Sequence, residues 1–388
     1  MSGKKIGILT GGGDVPGLNG VIRSFVTSAT SDGHEVIGLR RGWESLVRVV
    51  PDPSADNSRW IRPLDARNTR TIERTGGTIL HTTRFNPEIA RLSQVPEHLR
   101  NAIVPAGSNE RVDLTPHVLR NIEFLGLDVI VAVGGDGTLT FARRLDAEGV
   151  PIVAIPKTMD NDVFATDYCL GFSTAITRSV GFINDLRTGA GSHERMLVVE
   201  LFGRDSGEPC LLASYLANAD RAVIAEVPFD PEHLYELMAA DRADNPSGYS
   251  VLAISEGAGP VGGRRFESGE PDLAGNRKLG GVGQFVSDLF EQRSGDRVIY
   301  QRLAYLMRSG PPDSLDQLVA KNFGRLAADL ITRGETGVLV AIREGRYSTV
   351  PIEASGEGTK RVDVDRFYDA ENFKPKSNGL LGLPMFHQ

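Results

Sequence analysis

Short, almost wholly apolar runs alternate along this chain with longer stretches in which apolar residues return at helical spacing. Ile6-Gly7-Ile8-Leu9-Thr10 reads as a buried strand, Gly11 to Gly13 as a turn, and Leu18 to Ser28 as the following helix. Glu35 to Leu39 is the next strand. A helix is predicted from about Pro116, because proline directly after Thr115 suits a first helical turn. Leu127 to Val133 reads as a strand that enters Gly134-Gly135-Asp136-Gly137-Thr138 and then a helix through Leu145. Pro151 to Ile155 is a strand ending at Pro156-Lys157-Thr158-Met159-Asp160. Met196 to Leu201, Arg221 to Ala225, Tyr249 to Ser255 and Gly337 to Ile342 are further strands with helices between them. In one of those helices Ile176, Val180, Ile183 and Leu186 share a face. This alternation predicts an α/β fold with mainly parallel sheets flanked by helices.

Length sharpens that picture. At 388 residues the chain exceeds the size at which one core keeps growing, so two packed α/β units are expected. Apolar residues make up 40% and charged residues 24%, the balance of a globular chain that can fill such cores. The formal charge of −7 argues against a nucleic-acid or anionic-membrane partner, which calls for a clustered basic surface. Cys169 and Cys210 show no metal-ligand or CxxC spacing, which fits a reducing compartment. The opening Met-Ser-Gly-Lys-Lys lacks the apolar core of a leader, and no uninterrupted apolar run reaches the length of a membrane span. A cytoplasmic chain is expected. The glycine-rich stretches Gly257 to Gly263 and Gly269 to Gly283 read as active-site or surface loops.

In parallel sheets ligands gather beyond the carboxyl ends of strands, where helix amino ends aim N–H groups at anions. Three unusual loops fall at such ends. Gly11-Gly12-Gly13-Asp14 admits a phosphate close to the backbone or is simply a tight connection; taken singly it decides nothing. Neither GxGxxG nor GxxxxGK[ST] occurs, which disfavours the dinucleotide and Walker-type readings. Gly134-Gly135-Asp136-Gly137-Thr138 supplies N–H groups, a carboxylate for a hard cation and a hydroxyl expected at the helix cap. Magnesium bound by one or two carboxylates plus phosphate oxygens suits it. In Pro156-Lys157-Thr158-Met159-Asp160-Asn161-Asp162, two carboxylates two residues apart are costly without cationic or hydroxyl partners, which phosphoryl transfer supplies.

Together the segment Leu9 to Asn19, the GGDGT loop and PKTMDND resemble the phosphofructokinase superfamily. Gly76-Gly77-Thr78, Arg84-Phe85, Ser192-His193-Glu194-Arg195, Phe202-Gly203-Arg204, Glu256 and Tyr305-Leu306-Met307-Arg308 occur in the family's order. The resemblance covers nearly the whole chain. It implies two Rossmann-like three-layer domains with the active site in the cleft between them. Residues 1–171 plus 307–354 would bind the donor, and 172–306 plus 355–388 the sugar phosphate. The implied reaction moves the γ-phosphoryl of ATP to the 1-hydroxyl of fructose 6-phosphate, as in glycolysis. Asp160 would be the general base, Asp162, Thr158 and Lys157 would surround the transferred group, and Arg204 would steady the transition state. Gly12, Arg84, Phe85, Asp136, Gly137 and Thr138 would hold the donor, with Mg²⁺ on Asp136. Arg195 from a neighbouring subunit and Arg308 would clamp the 6-phosphate, beside Phe202, Gly203, Glu256 and Tyr305. A homodimer or homotetramer is implied by that use of Arg195.

The chain departs from the family at instructive places. Pyrophosphate-using relatives resemble one another in carrying Asp after GGD and Lys in PKT, whereas many ATP users carry Gly at both. Here Gly137 stands beside Lys157; the glycine leaves room for the rest of a nucleotide, so ATP is the expected donor and pyrophosphate the alternative. Tyr305 replaces a usual His and Phe202 a usual Met, which bears on the choice of sugar phosphate. No Arg lies nine residues before Arg308, so Arg302 or Arg297 is expected to compensate. A catalytically weak sugar-phosphate sensor on this fold would lack the base or the metal carboxylate, and both are present.

Overall fold

A computed structural model describes residues 3–103, 111–268 and 278–377. Residues 269–277 of the second glycine-rich stretch and 378–388 of the second expected domain lie outside the described residues. The first sheet contains strands β1 (Lys5–Thr10), β2 (Glu35–Leu39), β3 (Ile61–Leu64), β4 (Val129–Gly134), β5 (Ile152–Pro156), β10 (Val338–Arg343) and β11 (Arg346–Pro351). The second contains β6 (Met196–Leu201), β7 (Arg221–Val223), β8 (Ser250–Ser255) and β9 (Ile299–Arg302).

The seven strands of the first sheet lie in the order β11-β10-β5-β4-β1-β2-β3. β2, β1, β4, β5 and β10 run parallel, while β3 and β11 are antiparallel edges. β1 is buried from Ile6 onward, and β4 and β5 are buried along their whole length, because helices cover both faces. The chain turns outward from β1 to β2 on one side and returns to β4 on the other. That reversal splits the connections beyond Thr10 and Gly134 and opens a crevice at the carboxyl ends.

The second sheet is wholly parallel, in the order β9-β6-β8-β7. Eight principal helices flank the sheets: α1 (Leu18–Ser31), α2 (Thr115–Leu125), α3 (Asp136–Ala147), α4 (Phe172–His193), α5 (Glu208–Ala217), α6 (Pro231–Asp244), α7 (Val282–Ser294) and α8 (Ser314–Arg333). One continuous cluster of buried side chains joins the sheets, with Ile6, Val21 and Val131 on one side and Ile183, Leu197 and Val251 on the other. On α4 the expected face is confirmed: Ile176 and Ile183 are buried in this cluster, and Val180 and Leu186 pack against it.

Differences from the sequence expectation are local. β4 and β5 each reach one residue further toward the site than expected, since Gly134 and Pro156 still pair across the ladder. The strand expected over Arg221 to Ala225 stops at Val223, because β8 offers register partners only to Arg221, Ala222 and Val223. Among the described residues no helix is long and apolar enough to cross a membrane.

Candidate active site

The loops beyond β1, β4, β5 and β6 converge on one pocket of about 260 Å³. Gly12, Arg84, Phe85, Asp136, Gly137, Thr138, Lys157, Thr158, Asp160, Asp162 and Arg204, all singled out from sequence, line it. The first sheet builds most of this wall. Gly12 donates its N–H to the Thr83 carbonyl at 2.9 Å, and the Thr82 hydroxyl donates to the Gly12 carbonyl at 2.7 Å, so the glycine turn is sewn to the Arg84 segment. A side chain at Gly13 is impossible without rearrangement: its Cβ would lie 2.3 Å from an Arg308 nitrogen. Asn19, in the first turn of α1, faces away from the pocket and binds Thr75, Gly76 and Ile79.

α3 starts at Asp136 with Gly135 as its N-cap, and no side chain caps it. The hydroxyl cap expected from Thr138 is thus corrected: two residues into the helix, Thr138 turns inward and is buried under Gly11 and Gly134. Its carbonyl accepts a hydrogen bond from Trp43 Nε1 at 3.1 Å. Gly137, in contrast, has nothing within 4 Å of the position a Cβ would take.

Burial dominates the electrostatics. Asp136 is exposed to solvent, yet the walls around it, and then Asp162, push its carboxyl up to about 7, against Arg143. Asp160 is pushed well above the carboxylate range by burial first, then by Asp162 and Glu256, while Arg204 and Arg308 oppose the shift. Its Oδ1 is buried without a hydrogen-bond partner among the described residues. Asp162 is also raised by burial, tempered by the Thr158 hydroxyl and by Lys157 and Lys360. Lys157 is only 3% exposed and donates to the Gly13 carbonyl at 2.6 Å. Burial, with Arg308 and Arg84 nearby, brings its ammonium down to about 8.

From the second sheet Arg204 lines the pocket, whereas Phe202, Gly203, Glu256, Tyr305 and Arg308 are not among its lining residues and gather beside it. Phe202, Gly203 and Arg204 come directly after β6, and Glu256 after β8. Phe202 and Tyr305 meet edge to face at 5.9 Å, and the Arg308 guanidinium stands 4.6 Å from the Tyr305 ring. Arg308 also lies 3.7 Å from Asp14 in the first glycine turn. Glu256 is held at 2.9 Å by Arg302, whose Nε sits 3.0 Å from the fully buried Glu200. Of the two arginines proposed to compensate for the missing one, only Arg302 reaches this end. Arg297 precedes β9, which runs parallel to β6, and so lies at the far end of the sheet.

Arg195 is not brought to this pocket. It immediately precedes β6, and Arg204 comes after it, so the two stand at opposite ends of a strand about 20 Å long. Sequence reasoning missed Thr83 and Asn86, which line the pocket. The signal was available, since they flank the recognised Arg84-Phe85 pair. Lys360 was also missed; it donates its N–H to the Asp162 carbonyl at 3.0 Å, a contact over nearly two hundred residues that no local pattern announces.

Among the described residues, no group of three or more His, Cys, Asp or Glu could hold a metal ion by itself. Asp136 fits a different kind of site, in which a hard cation takes one carboxylate and completes its shell with phosphate and water oxygens. The repulsion from Asp162 that raises Asp136 is what such a cation would relieve.

The family model described as Phosphofructokinase matches residues 5–331. The chain is 36% identical over 369 residues to an ATP-dependent 6-phosphofructokinase 3 of Streptomyces coelicolor, across 95% of this chain and 99% of that protein. It is 34% identical over 371 residues to a pyrophosphate–fructose 6-phosphate 1-phosphotransferase of Amycolatopsis methanolica, with 95% and 99% covered. Among solved structures, a pyrophosphate-dependent phosphofructokinase from Marinobacter aquaeolei has the same fold, with a TM-score of 0.74 over 97% of this chain and 90% of the other at 16% identity.

Proposed function

The chain belongs to the phosphofructokinase family, and from that premise we propose that it transfers the γ-phosphoryl of ATP to the 1-hydroxyl of fructose 6-phosphate, giving fructose 1,6-bisphosphate and ADP. The observation that carries this reading is Asp160, which lines the same pocket as the glycine loops and Arg204 and whose Oδ1 has no hydrogen-bond partner among the described residues. In the proposed reaction Asp160 takes the proton of the 1-hydroxyl as that oxygen bonds to the γ-phosphorus, and the bond from phosphorus to the bridging oxygen of ADP breaks. Arg84 and Arg204 face the charge that builds on the transferred group, and Lys157 adds a cation from beneath the first glycine turn. Thr158 and Asp162 fix the surroundings of the base. Asp136 would hold Mg²⁺, which when bound neutralises charge on the donor phosphates.

Residues 1–171 plus 307–354 bind the donor through Gly12, Phe85, Gly137 and Thr138, and 172–306 plus 355–388 bind the sugar phosphate through Phe202, Gly203, Glu256 and Tyr305, with Arg308 reaching it from the donor-binding part. Arg195 enters the site of a neighbouring subunit in a cytoplasmic homodimer or homotetramer. The open space at Gly137 supports ATP. Pyrophosphate is the second reading, favoured by the buried Lys157 cation and by the name of the Amycolatopsis methanolica relative.

The test is Asp160→Asn, which keeps shape and removes the proton acceptor. With ATP and fructose 6-phosphate, kcat is expected to fall about 10²- to 10⁴-fold with little change in either KM. Turnover at the wild-type rate would overturn the assignment.

A further inference from the structure

Behind the two carboxylates of the β5 loop lies a buried polar cluster that the proposed chemistry does not use. Asn161, between Asp160 and Asp162, has a φ of 53°, in the left-handed region that asparagine tolerates better than most residues. Its side-chain nitrogen donates to the Asp167 carbonyl at 3.1 Å and to Glu208 Oε1 at 3.0 Å, and its Oδ1 accepts the Cys169 N–H at 2.8 Å. Glu208 opens α5 directly after the Arg204 loop and is fully buried. Lys360 comes in from the other side: its N–H donates to the Asp162 carbonyl, and its ammonium donates to the Asp167 carbonyl at 2.9 Å and lies 3.6 Å from Glu208 Oε2.

A buried ion pair adds little net stability compared with apolar side chains of the same size, so its position asks for another reason. This pair sits where the base loop, the Arg204 loop and the chain after β11 meet. Lys360 also lies outside the residues 5–331 that the family model matches.

We propose that Asn161, Glu208 and Lys360 are positioning residues that hold the turn between Asp160 and Asp162 and tie it to the Arg204 loop, keeping base and arginine in register across the pocket. None of the three touches substrate; they act through Asp160 and Arg204. The inference rests on Asp160 being the base.

Two variants test it. Glu208→Gln/Lys360→Met removes both charges at similar volume and leaves neither ion stranded, and Asn161→Gly keeps the left-handed backbone while removing the amide contacts. Steady-state kinetics with ATP and fructose 6-phosphate, normalised to the folded fraction by circular dichroism, should show kcat lower by about 10- to 100-fold in both, the scale set by a misplacement near 1 Å. Both KM values should stay close to wild type, because the binding groups are untouched. Native kcat per folded molecule in both variants, with Asp160→Asn inactive, would overturn the positioning role alone. Full turnover by Asp160→Asn would overturn base and positioning unit together.

Discussion

Burial moves acids and bases toward each other at this site. Glu256 rises to about 7 and Lys157 falls to about 8, each chiefly because the charged form is kept from water, while the exposed Asp136 is pushed up to about 7 by the surrounding walls and then by Asp162. At Glu256 the shift couples to stability. Its folded value exceeds the 4.5 of an ordinary glutamate even though Arg302 pulls it down, so between those values the folded state holds a proton that the unfolded state has released. The contribution of this group to stability therefore falls as pH rises from about 4.5 to about 7 and is level beyond. Melting temperatures of wild type and Glu256→Gln should diverge in the variant's favour across that window; a difference that does not change with pH would refute the shift. Gly137 makes a second residue-scale prediction. Since a Cβ there meets nothing within 4 Å, Gly137→Asp should fold normally and place a negative charge in the donor pocket. The KM for ATP should rise about tenfold or more, as about 1.4 kcal/mol of repulsion requires, and the KM for pyrophosphate should rise less. Equal losses with both donors would count against the steric argument for ATP.

At the scale of elements, the strand ends were legible in sequence because each is a short apolar run closed by a glycine or proline loop, as in Ile6 to Gly13 and Ile152 to Lys157. The edge strands β3 and β11 were not anticipated. Arg346 to Pro351 is a mixed polar and apolar segment with no fully buried position, a pattern shared by many loops until β10 offers it a ladder. Of the site, the glycine loops and acidic pair were readable from residue type and spacing. The Lys360 contact was not, because tertiary closure alone brings it to Asp162, and Arg302 was readable only as one of two alternatives until closure brought it to Glu256. Another such closure is the crossing of α1 and α8. A Cβ on Gly324 would stand 2.7 Å from the Val21 carbonyl and 2.8 Å from Phe25 N. Gly324→Ala should therefore destabilise the fold by about 1–3 kcal/mol in chemical denaturation, despite the better helix propensity of alanine. A gain in stability would show that the helices can separate freely.

The whole molecule joins one mainly parallel and one wholly parallel sheet, whose loops meet at a common pocket; on the proposed reading, donor and acceptor groups come from different sheets. Arg195 lies outside that pocket in its own chain, so a complete site on this account takes it from a second copy. Asp160→Asn and Arg195→Ala, each weak alone, should regain activity when unfolded together and refolded. Hybrids then contain one site with both residues intact, and a mixture no more active than its parts would exclude sharing. The proposed reaction meets its most direct test in purified wild-type protein, with fructose 6-phosphate, Mg²⁺ and either ATP or pyrophosphate, monitored by release of fructose 1,6-bisphosphate. Turnover with ATP is predicted at a kcat/KM well above that with pyrophosphate; turnover with pyrophosphate alone, or with neither donor, would contradict it.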